Sequence, residues 1–286
     1  MKTKKSIVFL VVLGLFFSAY TVNAQIHFGA TTSVNSTFVL DKGLSQDPRY
    51  NAKATYQWAP VGFSFGIDIG KRFGFQLESI LAKQGQIFDV IDAAKNAVGE
   101  RKVDLSYLQM PLFFKFMSGK DSGARTNFSF GPQLSILREG VETLQYDASV
   151  QSIPEGAEIP DGATLNPDGT YTVPALPTTE LLSSTAEEKI RQFKETELQI
   201  AAAFGLDIDL SKHLYLSTVI RANYSFTDMR NGDLVDLLKD GNVSDLFSKR
   251  ANLAVGAQLG LNFVIGGTRS YKAKMKAKEN DDSYAR

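Results

Sequence analysis

Hydrophobic and polar residues alternate along the stretch LSYLQMPLFFKF, residues 105–116. Its even positions from Leu108 onwards are all apolar, whereas its odd positions include Gln109, Pro111 and Lys115. A period of two residues is typical of a β-strand whose two faces meet different surroundings. The same pattern recurs in seven further stretches, so the sequence predicts eight strands.

The predicted strands are separated by connections that alternate between long and short. The strands cover approximately residues 25–40, 58–70, 73–81, 105–116, 128–136, 198–208, 214–226 and 253–265. Two of the long connections are expected near Phe88 to Lys102 and from Arg138 to about Thr196. In an up-and-down antiparallel barrel, this alternation puts all short turns at one end and all long loops at the other, as in bacterial outer-membrane barrels.

The residue types indicate which face meets lipid. The apolar column of each strand contains no Asp, Glu, Lys or Arg, although charged residues make up 22% of the chain. A lysine or arginine in mid-membrane costs roughly 2–4 kcal/mol, a penalty that a water-facing column does not carry. The opposite columns carry small residues and amides such as Gly66, Ala203 and Gln133, which suit a narrow packed lumen.

We therefore expect an all-β fold, an eight-stranded antiparallel up-and-down transmembrane β-barrel with short periplasmic turns and long external loops. A soluble lipocalin-like barrel with its faces reversed is the alternative. That alternative would place the apolar columns inside and the small residues and amides in water.

The first residues of the chain have the features of a secretory signal peptide. Lys2, Lys4 and Lys5 precede an apolar stretch, and small residues at Val22 and Ala24 suit cleavage before Gln25. A membrane anchor is the alternative, but a spanning helix needs about 20 apolar residues. We expect localisation in the cell outer membrane and the following organisation: a signal peptide at 1–24, a barrel at 25–266 with a long external loop at 138–196, and a polar periplasmic tail at 267–286.

Five charged residues fall on the inward columns: Asp68, Glu78, Lys115, Asp207 and Arg221. An eight-stranded barrel is just wide enough for side chains to fill it, and an unpaired charge in low dielectric is costly. We expect Arg221 and Lys115 to pair with some of these carboxylates in a structural network. A proton or ion path is the alternative interpretation.

The remaining composition excludes several classes of function. The formal net charge is zero, whereas a nucleic-acid partner requires a basic surface. There is no cysteine, and the only two histidines, His27 and His213, lie near the short-turn end without a metal-ligand spacing. No GxSxG, Walker or GxGxxG signature occurs. We therefore expect no enzyme, no catalytic, cofactor-binding or metal site, no cofactor and no nucleic-acid partner.

Two of the long connections have further features. The first part of the third, residues 152–179, is rich in Pro, Gly and Thr and predicts an extended, mobile segment. Thr185 to Glu188 then forms a capping box that predicts a short helix before strand six. The apolar residues of the fourth, 232–247, predict helical turns over the mouth. These loops serve either as a partner-binding surface or as a lid on the lumen.

Three segments carry a resemblance to a known family. The sequence from Tyr107 to Leu112 resembles the Y-L-E-I-P-L signature of the PorT-like outer-membrane β-barrel family of Bacteroidota, and Gly131 to Ser135 and residues 205–229 are similar to its following strand and penultimate hairpin. The resemblance implies a barrel, and the founding member is implicated in type IX protein secretion. Gln109 replaces the usual acid of the signature, and the third loop is unusually long.

The sequence thus favours a non-enzymatic outer-membrane β-barrel that acts in binding or assembly through its external loops or its periplasmic rim. Its expected partners are outer-membrane lipid and other envelope or secretion proteins. A component of a type IX-like protein secretion system and a narrow channel or transporter are the alternatives.

Overall fold

The computed structural model describes residues 24–118, 123–184, 192–240 and 249–265. Its strands, in chain order, are β1 Ala24–Leu40, β2 Tyr50–Lys53, β3 Thr55–Ile69, β4 Phe73–Ile91, β5 Ala97–Met117, β6 Ala124–Tyr146, β7 Ser149–Gln151, β8 Thr164–Leu165, β9 Tyr171–Val173, β10 Thr179–Ser184, β11 Thr196–Asp209, β12 Leu214–Ser225 and β13 Ala251–Ile265. Its helices are α1 Lys42–Gln46 and α2 Gly232–Asp240.

Eight long strands close into a ring. Each of β1, β3, β4, β5, β6, β11, β12 and β13 pairs antiparallel with the next, and β13 returns to pair with β1 from Ala251 to Ile265. Closure removes the free edges that an open sheet would present. The predicted fold class, an antiparallel eight-stranded barrel, is confirmed.

The two faces of the wall are those that the alternation predicts. Outward positions carry large apolar side chains that are half exposed, for example Phe65, Phe204 and Leu259, and the inward neighbours of these residues are mostly small or polar. Gly66 illustrates the inner face, because a Cβ there would overlap the imidazole of His27. The apolar side chains therefore surround the barrel, and the small and polar ones fill it.

The two ends of the barrel differ. Short connections at residues 70–72, 118–123 and 210–213 join strand pairs at one end, which we call the turn end. Gly70 permits the first of these turns because its φ of 66° is one that residues with a side chain rarely adopt. The long connections all lie at the other end, the loop end.

Three strands extend further toward the loop end than the sequence predicts. β4 continues to Ile91 and β5 begins at Ala97, so most of the predicted loop from Phe88 to Lys102 is a hairpin of paired strands. β6 continues past Arg138 to Tyr146. Beyond the lipid the outer face of a strand meets water, so the outward apolar column ends although the strand continues. In β6, a bulge at Arg138 and Glu139 also interrupts the alternation.

These extensions form a wall that rises above the ring. β2 pairs with β4 and β10 pairs with β6, so the order of strands in this loop-end wall is β2-β4-β5-β6-β10. The segment predicted to be extended and mobile, residues 152–179, instead contains β8 and β9, which form a small sheet of order β7-β9-β8 with the strand just before the segment. Its hairpin turns through Asn166 to Thr170, where the Asp168 carboxylate accepts hydrogen bonds from the Thr170 amide and hydroxyl.

Helix α2 lies where the sequence predicts helical turns in the fourth loop. The capping box from Thr185 to Glu188 lies outside the described residues, as do the predicted signal peptide up to Asn23 and the tail from residue 267. In the parts of the chain that the structure describes, no helix is long and apolar enough to cross a membrane.

The outward face generates a stability prediction. Leu259 lies near the middle of β13 and is half exposed, so Leu259→Lys should lower the stability of the barrel in lipid vesicles by roughly 2–4 kcal/mol. The measurement is the urea midpoint of the folded band on an unheated gel. The control is Leu165→Lys, since Leu165 is 61% exposed in the small sheet above the ring. Equal midpoints for the two variants would contradict a lipid-facing Leu259.

Candidate functional site

The inward charges of the barrel form two buried ion pairs. Arg221 Nη1 lies 2.8 Å from Glu78 Oε2, and Lys115 Nζ lies 2.8 Å from Asp207 Oδ2. All four side chains are almost completely buried. Of the five residues singled out from the sequence, the structure therefore joins four as pairs across the lumen.

Arg221 links four strands. Besides its bond to Glu78 on β4, it donates to Gln133 Oε1 on β6 at 2.5 Å, to Gln258 Oε1 on β13 at 3.1 Å and to Asn223 Oδ1 on its own strand at 2.9 Å. The guanidinium also lies 5.3 Å from the centroid of a phenyl ring, that of Phe113. A guanidinium has five fixed N–H donors, so a single side chain can hold this set of acceptors in place.

Asp68 belongs to a different group nearer the turn end. Its Oδ1 lies 3.7 Å from His27 Nδ1, and its Oδ2 lies 4.0 Å from Arg125 Nη2. Asp207, the partner of Lys115, also accepts a hydrogen bond from Asn127 Nδ2 at 2.9 Å. Arg125 was predictable, because it shares the inward parity of Asn127 on β6, but the sequence interpretation puts it in the preceding turn.

Amides and a tyrosine complete the lumen toward the loop end. Gln133 Nε2 donates to Gln199 Oε1 at 2.7 Å, and Gln199 Nε2 lies 3.3 Å from Glu197 Oε2. Glu197 also accepts hydrogen bonds from the Tyr107 hydroxyl and, at 3.0 Å, from Asn252 Nδ2. Gln109, which replaces the acid of the family signature, is buried in the same lumen.

The lumen holds very little free volume. The cavity around Arg221, Glu78 and Lys115 measures about 20 Å³. A cavity needs roughly 10–15 Å³ to hold one water molecule, so this space suits about one. The network therefore fills the barrel around Arg221 and Glu78.

An apolar cluster lies at the loop end of the barrel. This mouth core consists of Val39, Leu44, Phe88, Val103, Leu105, Tyr107, Leu137, Phe193 and Met229. Its members come from both the ring and the long connections, so the connections pack on the barrel.

Four charged residues, which we call the mouth quartet, lie beside the mouth core: Asp41, Arg101, Glu142 and Arg250. Arg250 donates to Asp41 and, at 2.7 Å, to Glu142 Oε2, and Arg101 Nη2 lies 2.5 Å from Glu142 Oε1. Each of the four residues lies in a different long connection, either in its loop or in a strand extension that is part of it. The quartet therefore joins all four long connections. Asp41 also caps α1 by accepting a hydrogen bond from the Gly43 amide at 2.7 Å.

The electrostatics of this mouth favour the charged forms. Burial by itself would lower the pKa of Arg250, but the carboxylates of Glu142 and Asp41 outweigh it and raise that pKa. Burial would raise the pKa of Asp228, and the hydrogen bonds from Arg230 hold it below the usual range. The sequence did not indicate the quartet, because its members lie in segments predicted as loops.

Among the described residues, no group of three or more His, Asp or Glu side chains is arranged to hold a metal ion. The family model described as outer membrane protein beta-barrel domain matches residues 20–231, which is more than half of the chain. The chain belongs to this outer-membrane β-barrel family. The turn end of an outer-membrane barrel is periplasmic and its loop end external, so the mouth quartet and the loop-end wall lie on the external side.

Solved structures with a similar course of the chain include three bacterial proteins. The outer membrane protein OprG from Pseudomonas aeruginosa is 12% identical, with 85% of this chain and 95% of that chain covered and a TM-score of 0.37. The attachment invasion locus protein Ail of Yersinia pestis, solved with the heparin analogue sucrose octasulfate, is 7% identical, with 84% and 99% covered and a TM-score of 0.36. Neisserial surface protein A is 8% identical, with 83% and 96% covered and a TM-score of 0.34. A search of curated protein sequences gives no match.

The buried pair of the outer-membrane barrel generates a second prediction. Arg221→Met should lower the temperature at which the folded band converts to the unfolded band on a gel. The reason is that Glu78 then stays buried without its cation, a loss of about 3–5 kcal/mol in comparable cases.

Two further variants make this result specific. Adding Glu78→Gln to Arg221→Met should recover part of the loss, because the uncompensated carboxylate is then gone. Lys53→Met is the control, since Lys53 forms exposed pairs with Asp89 and Glu100 that contribute only about 0–1 kcal/mol. If the folded band of the Arg221→Met variant converted to the unfolded band at the wild-type temperature, the role of the pair would be refuted.

Proposed function

We propose that this outer-membrane barrel is a non-enzymatic binding or assembly protein whose partner is another envelope protein that contacts its external face. The single observation that carries the proposal is the loop-end wall, whose strands continue well above the ring and are tied by the mouth quartet to the other long connections. A surface held by paired strands and buried ions is pre-organised, which reduces the ordering cost of binding.

The small free volume inside the barrel supports the same proposal. Arg221, Glu78, Gln133 and Gln258 are joined by hydrogen bonds, and the cavity of about 20 Å³ beside them suits about one water molecule. Ligand pockets generally occupy about 300–1,000 Å³. A channel, a transporter or an enzyme acting inside the barrel would require a different interior, so the external face is the better candidate.

Exposed apolar side chains on the small sheet suit a protein partner. Val150 and Leu165 are 57% and 61% exposed. In the pairing of β7 and β8 with β9, Val150 lies opposite Thr172 and Leu165 opposite Tyr171, so the two side chains are on opposite faces of the sheet. Each face of the small sheet therefore carries one exposed apolar side chain, and covering apolar surface on binding contributes roughly 25 cal/mol per Å².

Participation in a type IX-like secretion system is a narrower form of this proposal. The family that matches is the general outer-membrane barrel family. The resemblance of residues 107–112 to the PorT-like signature is what suggests the secretion role. A secretion component captured at the external face would support the narrower form.

Site-specific photo-crosslinking in intact cells tests the proposal. A photoreactive residue at position 150 or 165 should give a discrete adduct with an envelope protein, because these side chains extend from the external face. The matched control carries the photoreactive residue in place of Lys212, in the turn between β11 and β12. An adduct at 212 alone would overturn the external assignment and favour the periplasmic rim, and no adduct at any of the three would refute a stable protein partner.

A further inference from the structure

The wall of the barrel opens on one side near its external rim. The ladder between β1 and β3 ends where Thr37 pairs with Thr55. Beyond that point β1 continues to Leu40 paired only with β13, while β2 turns away to pair with β4. The strands diverge, and a cleft of about 750 Å³ lies between them. We call it the rim cleft.

The rim cleft connects the lipid-facing surface with the apolar interior of the mouth. Phe38 and Leu40, which line it, continue the outward apolar column of β1, and Leu40 is 44% exposed. Val39, Leu44 and Phe88 line its inner side and belong to the mouth core. The cleft therefore joins apolar side chains of the lipid-facing surface to those of the mouth core.

Tyr224 places the cleft at the level of the membrane boundary. It lies opposite Leu253 of β13, which in turn lies opposite Phe38 of β1, so the three side chains form one row across neighbouring strands. Tyrosine is enriched where hydrocarbon meets water, because its ring is apolar and its hydroxyl is polar. The row thus marks the height at which lipid headgroups begin.

Two lysines stand on the water side of the cleft. Lys42 and Lys249 both line it and are both exposed. Lys249 Nζ lies 5.7 Å from the centroid of the Tyr224 ring and donates to the Phe226 carbonyl at 2.6 Å, so it is held at this row. Asp41, the one carboxylate among the lining residues, is paired with Arg250. The rim of the cleft therefore has a positive charge.

We propose that the rim cleft holds one molecule of an anionic lipid from the surrounding leaflet. Its acyl part lies along Phe38 and Tyr224 on the lipid-facing side of the cleft, and its anionic headgroup lies between Lys42 and Lys249. The volume of the cleft is within the range of ligand pockets, and basic side chains at a membrane surface attract anionic headgroups. The site goes beyond the proposed function and does not depend on a protein partner.

Native mass spectrometry of the folded barrel tests this site. The probes are phosphatidylglycerol and phosphatidylcholine, each added to the protein in detergent. Wild type should retain one phosphatidylglycerol and bind phosphatidylcholine at least about tenfold more weakly, because only the former has a net negative headgroup. Lys42→Gln with Lys249→Gln should reduce phosphatidylglycerol occupancy about tenfold or more and leave that of phosphatidylcholine unchanged.

Two further variants separate a defined site from general attraction. Lys71→Gln with Lys212→Gln removes the same charge at the turn end and should retain the lipid. Ala52→Trp should abolish retention by filling the cleft, since Ala52 is an exposed lining residue, and unheated gels show that each variant is folded.

Equal retention by the two double-lysine variants would overturn the proposal. So would equal binding of both lipids by wild type, or undiminished retention by Ala52→Trp. A co-purified peptide in place of lipid would also overturn it, and would identify the cleft as a site for strand addition.

Discussion

The guanidinium of Arg221 and the carboxylate of Glu78 meet 2.8 Å apart in the middle of a barrel that lipid surrounds. Removing either ion from water is costly, and only partners inside the lumen can compensate for that cost. Arg221 therefore collects acceptors from β4, β6, β12 and β13, and the strands that carry them are held in one register. The small and amide side chains of the inner face allow this packing, because bulkier ones would displace the network.

Buried ions also need partners at the external mouth, but there the pairing joins the long connections. There the ions of the mouth quartet come from the long connections, and the mouth core lies beside them. Breaking such a buried pair is costly, because the remaining partner is left as an uncompensated charge. The connections are thereby fixed as part of the barrel, and they present the loop-end wall and the small sheet in a defined orientation toward the exterior.

The sequence predicted the ring well because lipid imposes a strict condition on the outer face. All eight predicted apolar columns coincide with strands of the ring, with Phe226 one residue past the end of β12, and the five inward charged residues from Asp68 to Arg221 are buried. The condition ends at the membrane boundary. The extensions of β4, β5 and β6 were therefore missed, and so were Asp41, Arg101, Glu142 and Arg250, whose association depends on which long connections meet in space.

The central claim is that the lumen network seals the barrel and leaves the external face as its working surface. Planar-bilayer recording of the purified folded barrel tests this most directly. We expect a silent trace under applied voltage, because the cavity beside Arg221 and Glu78 suits about one water molecule. Discrete, reproducible conductance steps from the wild-type barrel would contradict the claim and would make the charges of the lumen an ion path.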